Sequence, residues 1–162
     1  MNNVLPIEKA AAWEDRVEKD RVKKDRVETI LLVEDEAFVR NVTHEILQAA
    51  GYRVLTAGNG IAAKRLYDEF GPEVDLLLTD MILPGANGGE LTARMRRQNP
   101  GLTVLFVTGY ADQIVALKDA GEEYLLKPFC REVLLRKVAG LMHEPGMQAE
   151  RGESVMRACV GA

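Results

Sequence analysis

Short apolar runs alternate with longer amphipathic stretches between residues 29 and 142. Each short run is almost continuously apolar, which is the pattern of a strand buried on both faces of a parallel sheet. The runs cover residues 29–33, 52–57, 74–79, 102–108 and 123–126. The alternation predicts five βα units, and therefore an α/β fold with a doubly wound, five-stranded parallel sheet.

Five helices are predicted to follow these strands. They cover residues 37–50, 60–70, 88–98, 111–120 and 131–142. The first has apolar residues at three- and four-residue spacing, which is typical of an amphipathic helix: Phe38, Val42, Ile46 and Leu47. Gly51 follows as a stop signal, because glycine readily adopts the conformation that ends a helix.

Two segments of different character flank this domain, which we place at residues 29–142. Residues 1–28 form a charged extension in which Asp-Arg-Val recurs from positions 15, 20 and 25. A solvated leader and a helical arm that docks on the domain, or on a second copy, are both open for it. Residues 143–162 contain three glycines and are predicted to be a flexible tail.

Composition narrows the classes of function. The chain of 162 residues has a net charge of −4, without the basic excess typical of nucleic-acid binding. It lacks both an apolar run of about 18 residues, which a membrane span needs, and the core of a signal peptide. Its two cysteines, Cys130 and Cys159, have no paired spacing, which suits a reducing compartment. We expect a cytoplasmic protein that binds neither nucleic acid nor membrane.

Polar side chains collect where the strands end. Glu34 and Asp35 follow the first strand, and Asp80 follows the third. Thr108 ends the fourth strand, and Lys127 follows the fifth. Because right-handed crossovers bring the C-terminal ends of parallel strands to one edge of the sheet, these side chains are expected to converge there.

This set of residue types suits phosphoryl transfer with a hard cation. Carboxylates without a nearby histidine or cysteine favour Mg²⁺, which prefers oxygen ligands. A cation neutralises the acidic cluster and lets an anionic phosphoryl group approach an anionic nucleophile. Lys127 and Thr108 are suitable donors to two further phosphoryl oxygens.

Four motifs at these strand ends resemble those of the receiver domain of two-component response regulators, the CheY-like family. They are VED at 33–35, LLLTDMILPGANG at 76–88, VTGY at 107–110 and YLLKPF at 124–129. The resemblance spans residues 29–142 and implies a flavodoxin-like sheet with strand order 2-1-3-4-5. It also implies a signalling switch that takes a phosphoryl group from a sensor histidine kinase, phosphorylates and dephosphorylates itself, and is not a turnover enzyme.

The resemblance implies a role for each residue at the edge. Asp80 is the implied phosphoacceptor, with Thr108 and Lys127 as its catalytic partners. The implied Mg²⁺ ligands are Glu34 through a bound water, Asp35, Asp80 and the backbone carbonyl of Ile82. Thr108 and Tyr124 are the implied switch pair, in which the hydroxyl moves toward the phosphoryl group and the ring turns inward.

The resemblance also implies a partner surface, formed by the fourth helix, the fifth strand and the fifth helix. It is expected to include Ile114, Leu117, Tyr124 and Leu134. A homodimer through this face, or through the N-terminal arm, remains open. The Lys127–Pro128 peptide bond is implied to be cis.

Ile82 and Tyr110 occupy two positions that tune phosphate hydrolysis in the family. Because both are bulky and neither can orient an attacking water, we expect slow loss of the phosphoryl group.

Two outcomes of phosphorylation are open. Twenty residues follow Met142, too few for a DNA-binding output domain, so the message is expected to pass by protein contact. The alternative is a phosphorelay intermediate that hands its phosphoryl group to a histidine phosphotransfer protein.

Three other interpretations are weaker. Gly58, Gly60 and Ala63 match the dinucleotide-binding pattern G-x-G-x-x-A, but a Gly-Asn-Gly helix start explains them more simply. A haloacid-dehalogenase-type phosphatase needs a second aspartate where Ile82 stands. His44 lies in a sequence similar to a kinase phosphohistidine box but lacks the proline expected downstream.

Overall fold

The computed structural model describes residues 26–143 of the chain. The predictions for a helical arm at the N-terminus and for a flexible tail fall on residues 1–25 and 144–162, and so lie outside the described residues. Within the described part, no helix combines the length and the apolar character that a bilayer crossing needs.

Five parallel strands form one sheet. They are β1 Thr29–Val33, β2 Arg53–Ala57, β3 Val74–Asp80, β4 Thr103–Thr108 and β5 Glu123–Leu126. Their order across the sheet is β2-β1-β3-β4-β5. The predicted fold class and strand order are confirmed, and each strand begins and ends within one residue of its predicted position.

Five helices follow the strands. They are α1 Ala37–Ala49, α2 Gly60–Phe70, α3 Gly88–Gln98, α4 Ala111–Asp119 and α5 Arg131–His143. A short hairpin, which the sequence pattern did not predict, pairs Ile82–Leu83 with Ala86–Asn87 between β3 and α3. Two-residue strands are too short to show a periodic pattern, and this one turns at Pro84-Gly85.

The core lies in two layers, one on each face of the sheet. One layer joins alternate strand residues such as Ile30 and Leu76 to α1 and α5. The other joins Leu31 and Leu77 to helices α2, α3 and α4. Since neighbouring residues of a strand point to opposite faces, two covered faces require the continuous apolar runs seen in the sequence.

The buried face of α1 agrees with the predicted one only in its C-terminal half. Phe38 is 73% exposed and Val42 is 42% exposed. Two of the four predicted positions do face the core, because Leu47 is buried and Ile46 packs against it. In place of Phe38 and Val42, Thr43 is buried and Val39 is half-buried one turn earlier. The two possible stripes are offset by one residue, about 100° around the helix, and the apolar count favoured the wrong one because threonine was not counted as a core residue.

The ends of two helices follow the predicted signals. Gly51 comes just after α1 with a φ of 98°, a conformation that favours glycine. Asn59 precedes α2, and its Oδ1 accepts a hydrogen bond from the Ala62 N–H at 2.8 Å. The Gly-Asn-Gly run is therefore a capped helix start, as the simpler interpretation predicts.

Candidate functional site

The register of the sheet brings the polar strand ends together. Val33 on β1 lies opposite Thr79 on β3, so the residues that follow them, Glu34 and Asp80, leave neighbouring strands at the same level. On the other side of β3, the N–H of Lys127 donates to the carbonyl of Thr108 at 2.8 Å. The described structure thus gathers the carboxylates, the hydroxyl and the amine at the C-terminal edge of the sheet.

Lys127 links two of the carboxylates. Its Nζ lies 2.6 Å from Glu34 Oε2 and 2.7 Å from Asp80 Oδ2. Burial by itself lowers the pKa of Lys127, but the hydrogen bonds to Asp80 and Glu34 outweigh it and raise the pKa above the ordinary lysine value. Glu34 is only 4% exposed, and a buried carboxylate is costly unless it is paired. The Lys127 ammonium group therefore places a positive charge directly against two of the acidic side chains.

The acidic cluster has a donor set suited to a hard cation. Glu34, Asp35 and Asp80 each offer one carboxylate oxygen, and the three oxygens lie within 4.8 Å of one another. Asp35 is exposed, so the cluster is open to solvent on that side. The Ile82 N–H donates to Asp80 Oδ1 at 3.0 Å, which holds the backbone of Ile82 beside the cluster. These oxygens fit a magnesium site.

Arg40 supports the acidic loop and was not predicted from the sequence. From the first turn of α1, its Nη1 donates to the carbonyl oxygens of Glu34 at 2.7 Å and of Asp35 at 3.2 Å. Gly58 leaves room for the guanidinium, because a Cβ there would lie 3.2 Å from Arg40 Nη1. The available signal was a cation near a helix N-terminus, where the helix dipole disfavours positive charge unless it has another partner.

Gly88 allows the chain to pass close behind Asp80. A Cβ at Gly88 would lie 2.3 Å from the carbonyl oxygen of Asp80, which is backbone and cannot move away easily. The Gly88 N–H donates to the Met81 carbonyl at 3.0 Å, so the approach is held by a hydrogen bond. Glycine at position 88 therefore allows the backbone contact that supports the segment carrying Asp80.

Replacing Gly88 by alanine is expected to lower the free energy of unfolding by about 2 kcal/mol, the usual scale for forcing a methyl group into a packed site. Urea denaturation measures the change. Gly140→Ala is the matched control, because a Cβ at Gly140 meets no atom within 4 Å. In the interior of α5 that change is expected to stabilise by up to about 1 kcal/mol. Equal effects at the two glycines would contradict the close approach.

The Thr108 hydroxyl bonds toward α4 in this structure. The side chain is buried; its Oγ1 donates to Gln113 Oε1 and accepts from the Tyr110 N–H at 3.1 Å. Tyr124 lies opposite Phe106 in the sheet and is half-buried, with Lys118 Nζ 5.9 Å from its ring centroid. The two residues of the predicted switch pair thus occupy adjacent strands, and Gln113 is a contact that the sequence did not predict.

The predicted partner surface is partly wrong in its residues. Leu117 and Leu134 are 3% and 0% exposed and belong to the core. Their helices bury these leucines against the sheet. The solvent side of α4 carries Val115 instead, while Ile114 on the same helix and Tyr124 on β5 are half-buried. The prediction of a cis Lys127–Pro128 peptide bond is confirmed.

The strand order β2-β1-β3-β4-β5 is that of the flavodoxin-like fold, in which ligands bind at the C-terminal edge of the sheet, where the acidic cluster lies. The family model for the response regulator receiver domain matches residues 30–139. The chain therefore belongs to the response regulator receiver family, and it is a receiver domain of a two-component system.

Individual relatives extend this result. The chain is 35% identical over 137 residues to the sensor kinase CckA of Brucella abortus, covering 83% of this chain and 14% of the kinase. It is 34% identical over 120 residues to the uncharacterized transcriptional regulatory protein YbdJ of Bacillus subtilis, covering 72% of this chain and 52% of the regulator. The chain thus spans about half, or less, of these relatives.

A solved structure has a similar fold. The response regulator TrrA from Thermotoga maritima, in complex with Mg²⁺-BeF, matches with a TM-score of 0.64 and 31% identity, over 71% of this chain and 99% of that one.

Proposed function

We propose that this chain is a phosphorylation-dependent switch that accepts a phosphoryl group from a sensor histidine kinase onto Asp80 in the presence of Mg²⁺. The observation that carries the proposal is the cluster of oxygens from Glu34, Asp35 and Asp80, with the Lys127 ammonium bonded to two of these residues. The similar structure of TrrA with Mg²⁺-BeF supports it.

The residues of the site have three roles in the proposed reaction: nucleophile, hydrogen-bond donor and metal ligand. An oxygen of the Asp80 carboxylate attacks the phosphorus atom, and the bond between phosphorus and the donor breaks. Lys127 and Thr108 donate hydrogen bonds to phosphoryl oxygens and stabilise the charge that these oxygens carry. Glu34, Asp35, Asp80 and the backbone carbonyl of Ile82 would hold Mg²⁺, which when bound neutralises the negative charges brought together at the site.

The cellular setting follows from this role. The chain receives its phosphoryl group from a kinase in the cytoplasm and needs neither nucleic acid nor membrane. It catalyses its own phosphorylation and dephosphorylation and turns over no substrate, so it is not an enzyme. The α4, β5 and α5 face is where a downstream protein, or a second copy of the chain, binds.

A second candidate is a phosphorelay intermediate that passes its phosphoryl group to a histidine phosphotransfer protein. The observation in its favour is the similarity to a segment of the sensor kinase CckA. Incubating the phosphorylated chain with candidate phosphotransfer proteins distinguishes the two functions, because only a phosphorelay intermediate transfers its phosphoryl group to a histidine of the acceptor.

The direct test is the intact mass of the full chain after incubation with acetyl phosphate. We expect the mass to increase by one phosphoryl group with Mg²⁺ and to stay unchanged with excess EDTA. No increase under either condition contradicts the proposal.

The lifetime of the phosphorylated form provides a separate prediction. Ile82 and Tyr110 are 51% and 58% exposed, and neither side chain can orient a water molecule for attack on the phosphorus. Ile82→Asn adds an amide that can do so, and we expect it to shorten the half-life by about tenfold, a modest share of what a positioned polar group contributes. Intact mass after removal of acetyl phosphate measures the decay.

The matched control for this lifetime is Ile61→Asn. Ile61 is also an exposed isoleucine, at 71%, but it lies in the first turn of α2. We expect no change there. A wild-type half-life of seconds would contradict the prediction of slow loss.

A further inference from the structure

We propose that Gln113 is a positioning residue that holds the Thr108 hydroxyl on the α4 side in the unphosphorylated chain, and so limits how readily the site accepts a phosphoryl group. This inference rests on the proposed function, because it concerns the threonine that is to bond the phosphoryl oxygen. It adds a residue that none of the four motifs at the strand ends contains.

The bonding of the Thr108 hydroxyl carries the inference. Oγ1 accepts from the Tyr110 N–H at 3.1 Å and donates to Gln113 Oε1. A hydroxyl has a single proton to donate. Thr108 therefore cannot donate to Gln113 and to a phosphoryl oxygen at the same time, and the first bond must break before the second can form.

The location of Gln113 gives this bond its effect. Thr108 is 1% exposed, so its hydroxyl has little access to water and depends on protein partners. Gln113 is half-buried in the first turn of α4. When the hydroxyl turns to a phosphoryl oxygen, it loses its hydrogen bond to Gln113. The free energy of that lost bond is subtracted from the free energy gained on phosphorylation.

The hydroxyl also joins Gln113 to the start of α4. Tyr110 is the N-cap residue of that helix, and its own side chain makes no capping hydrogen bond. In a capping box, the residue at Gln113's position bonds the N-cap N–H directly. Here the Thr108 hydroxyl stands between them, bonded to both. Movement of Thr108 therefore changes the contacts of the first turn of α4, which borders the proposed partner surface.

The test is the affinity of the full-length chain for beryllofluoride with Mg²⁺, measured by NMR titration. Gln113→Met keeps the length of the side chain and removes the acceptor. We expect it to bind beryllofluoride about fivefold more tightly, the effect of removing one competing hydrogen bond. Gln113→Glu retains an acceptor and is expected to bind no more tightly than wild type. Gln48→Met is the matched control at an exposed glutamine of α1 and should leave the affinity unchanged.

A double-mutant cycle shows whether the effect passes through the hydroxyl. In a Thr108→Val background, which keeps the shape and removes the hydroxyl, Gln113→Met should have no effect on the affinity. The same tightening in that background would overturn the proposal, as would unchanged or weaker binding by Gln113→Met alone. In wild type, the side-chain amide resonances of Gln113 should also shift on saturation, and their constancy would count against the contact.

Failure of the proposed function gives a different result. If wild type neither binds beryllofluoride nor gains a phosphoryl group, the function itself is wrong and the role of Gln113 falls with it. If wild type does both and Gln113→Met behaves like wild type, only the role of Gln113 is wrong.

Discussion

Asp80→Asn should gain no phosphoryl group from acetyl phosphate under conditions in which wild type is fully modified. The asparagine side chain has the same shape as aspartate, but its amide oxygen carries no charge and is a poor nucleophile. The bond from the Ile82 N–H to Oδ1 can persist, so the surrounding backbone keeps its support. We therefore expect Asp80→Asn to lose phosphoryl uptake completely while its fold changes little.

Intact mass measures this result, and circular dichroism checks the fold. Asp68→Asn is the control, because Asp68 is an exposed aspartate on α2 that pairs with Lys64 one turn earlier. It should be modified like wild type. Modification of Asp80→Asn at the wild-type rate would mean that another residue accepts the phosphoryl group, and it would remove the central assignment of the site.

The fold was largely predictable because the apolar pattern reports burial on both faces of the sheet. The unpredicted parts involve features that such a pattern does not contain. The hairpin of Ile82–Leu83 with Ala86–Asn87 is too short to be periodic. The buried face of α1 runs through Thr43, and a threonine at a core position cannot be told from a surface threonine without the tertiary contacts.

The site shows a similar division. Glu34, Asp80, Thr108 and Lys127 were predictable as a group, because strand topology alone brings their positions to one edge. Arg40 was not, since its partners are backbone carbonyls and any residue type could supply them. Interactions with the backbone leave no complementary residue in the sequence to be noticed.

Lys127→Met is the second change with a large expected effect, and it should act on stability and on phosphorylation together. The substitution removes the ammonium group that bonds Glu34 and Asp80. The Glu34 carboxylate, which is only 4% exposed, then lacks its cationic partner. Loss of one partner from a fully buried pair costs about 3–5 kcal/mol. Because the lysine side chain is 26% exposed, water moderates the loss, and we expect about 2 kcal/mol by urea denaturation.

Phosphoryl uptake by Lys127→Met should fall about 100-fold, the usual effect of removing one donor to a charged transition state. Mg²⁺ should stabilise this variant more than wild type, because Glu34 and Asp80 have lost their ammonium partner and all three carboxylates keep their oxygens. Lys137→Met is the control: Lys137 pairs with Glu123 at the surface, so its loss should cost less than about 1 kcal/mol and leave uptake unchanged. If Mg²⁺ stabilised Lys127→Met less than wild type, the ammonium group would have to help form the metal site rather than compete with the cation for the carboxylates.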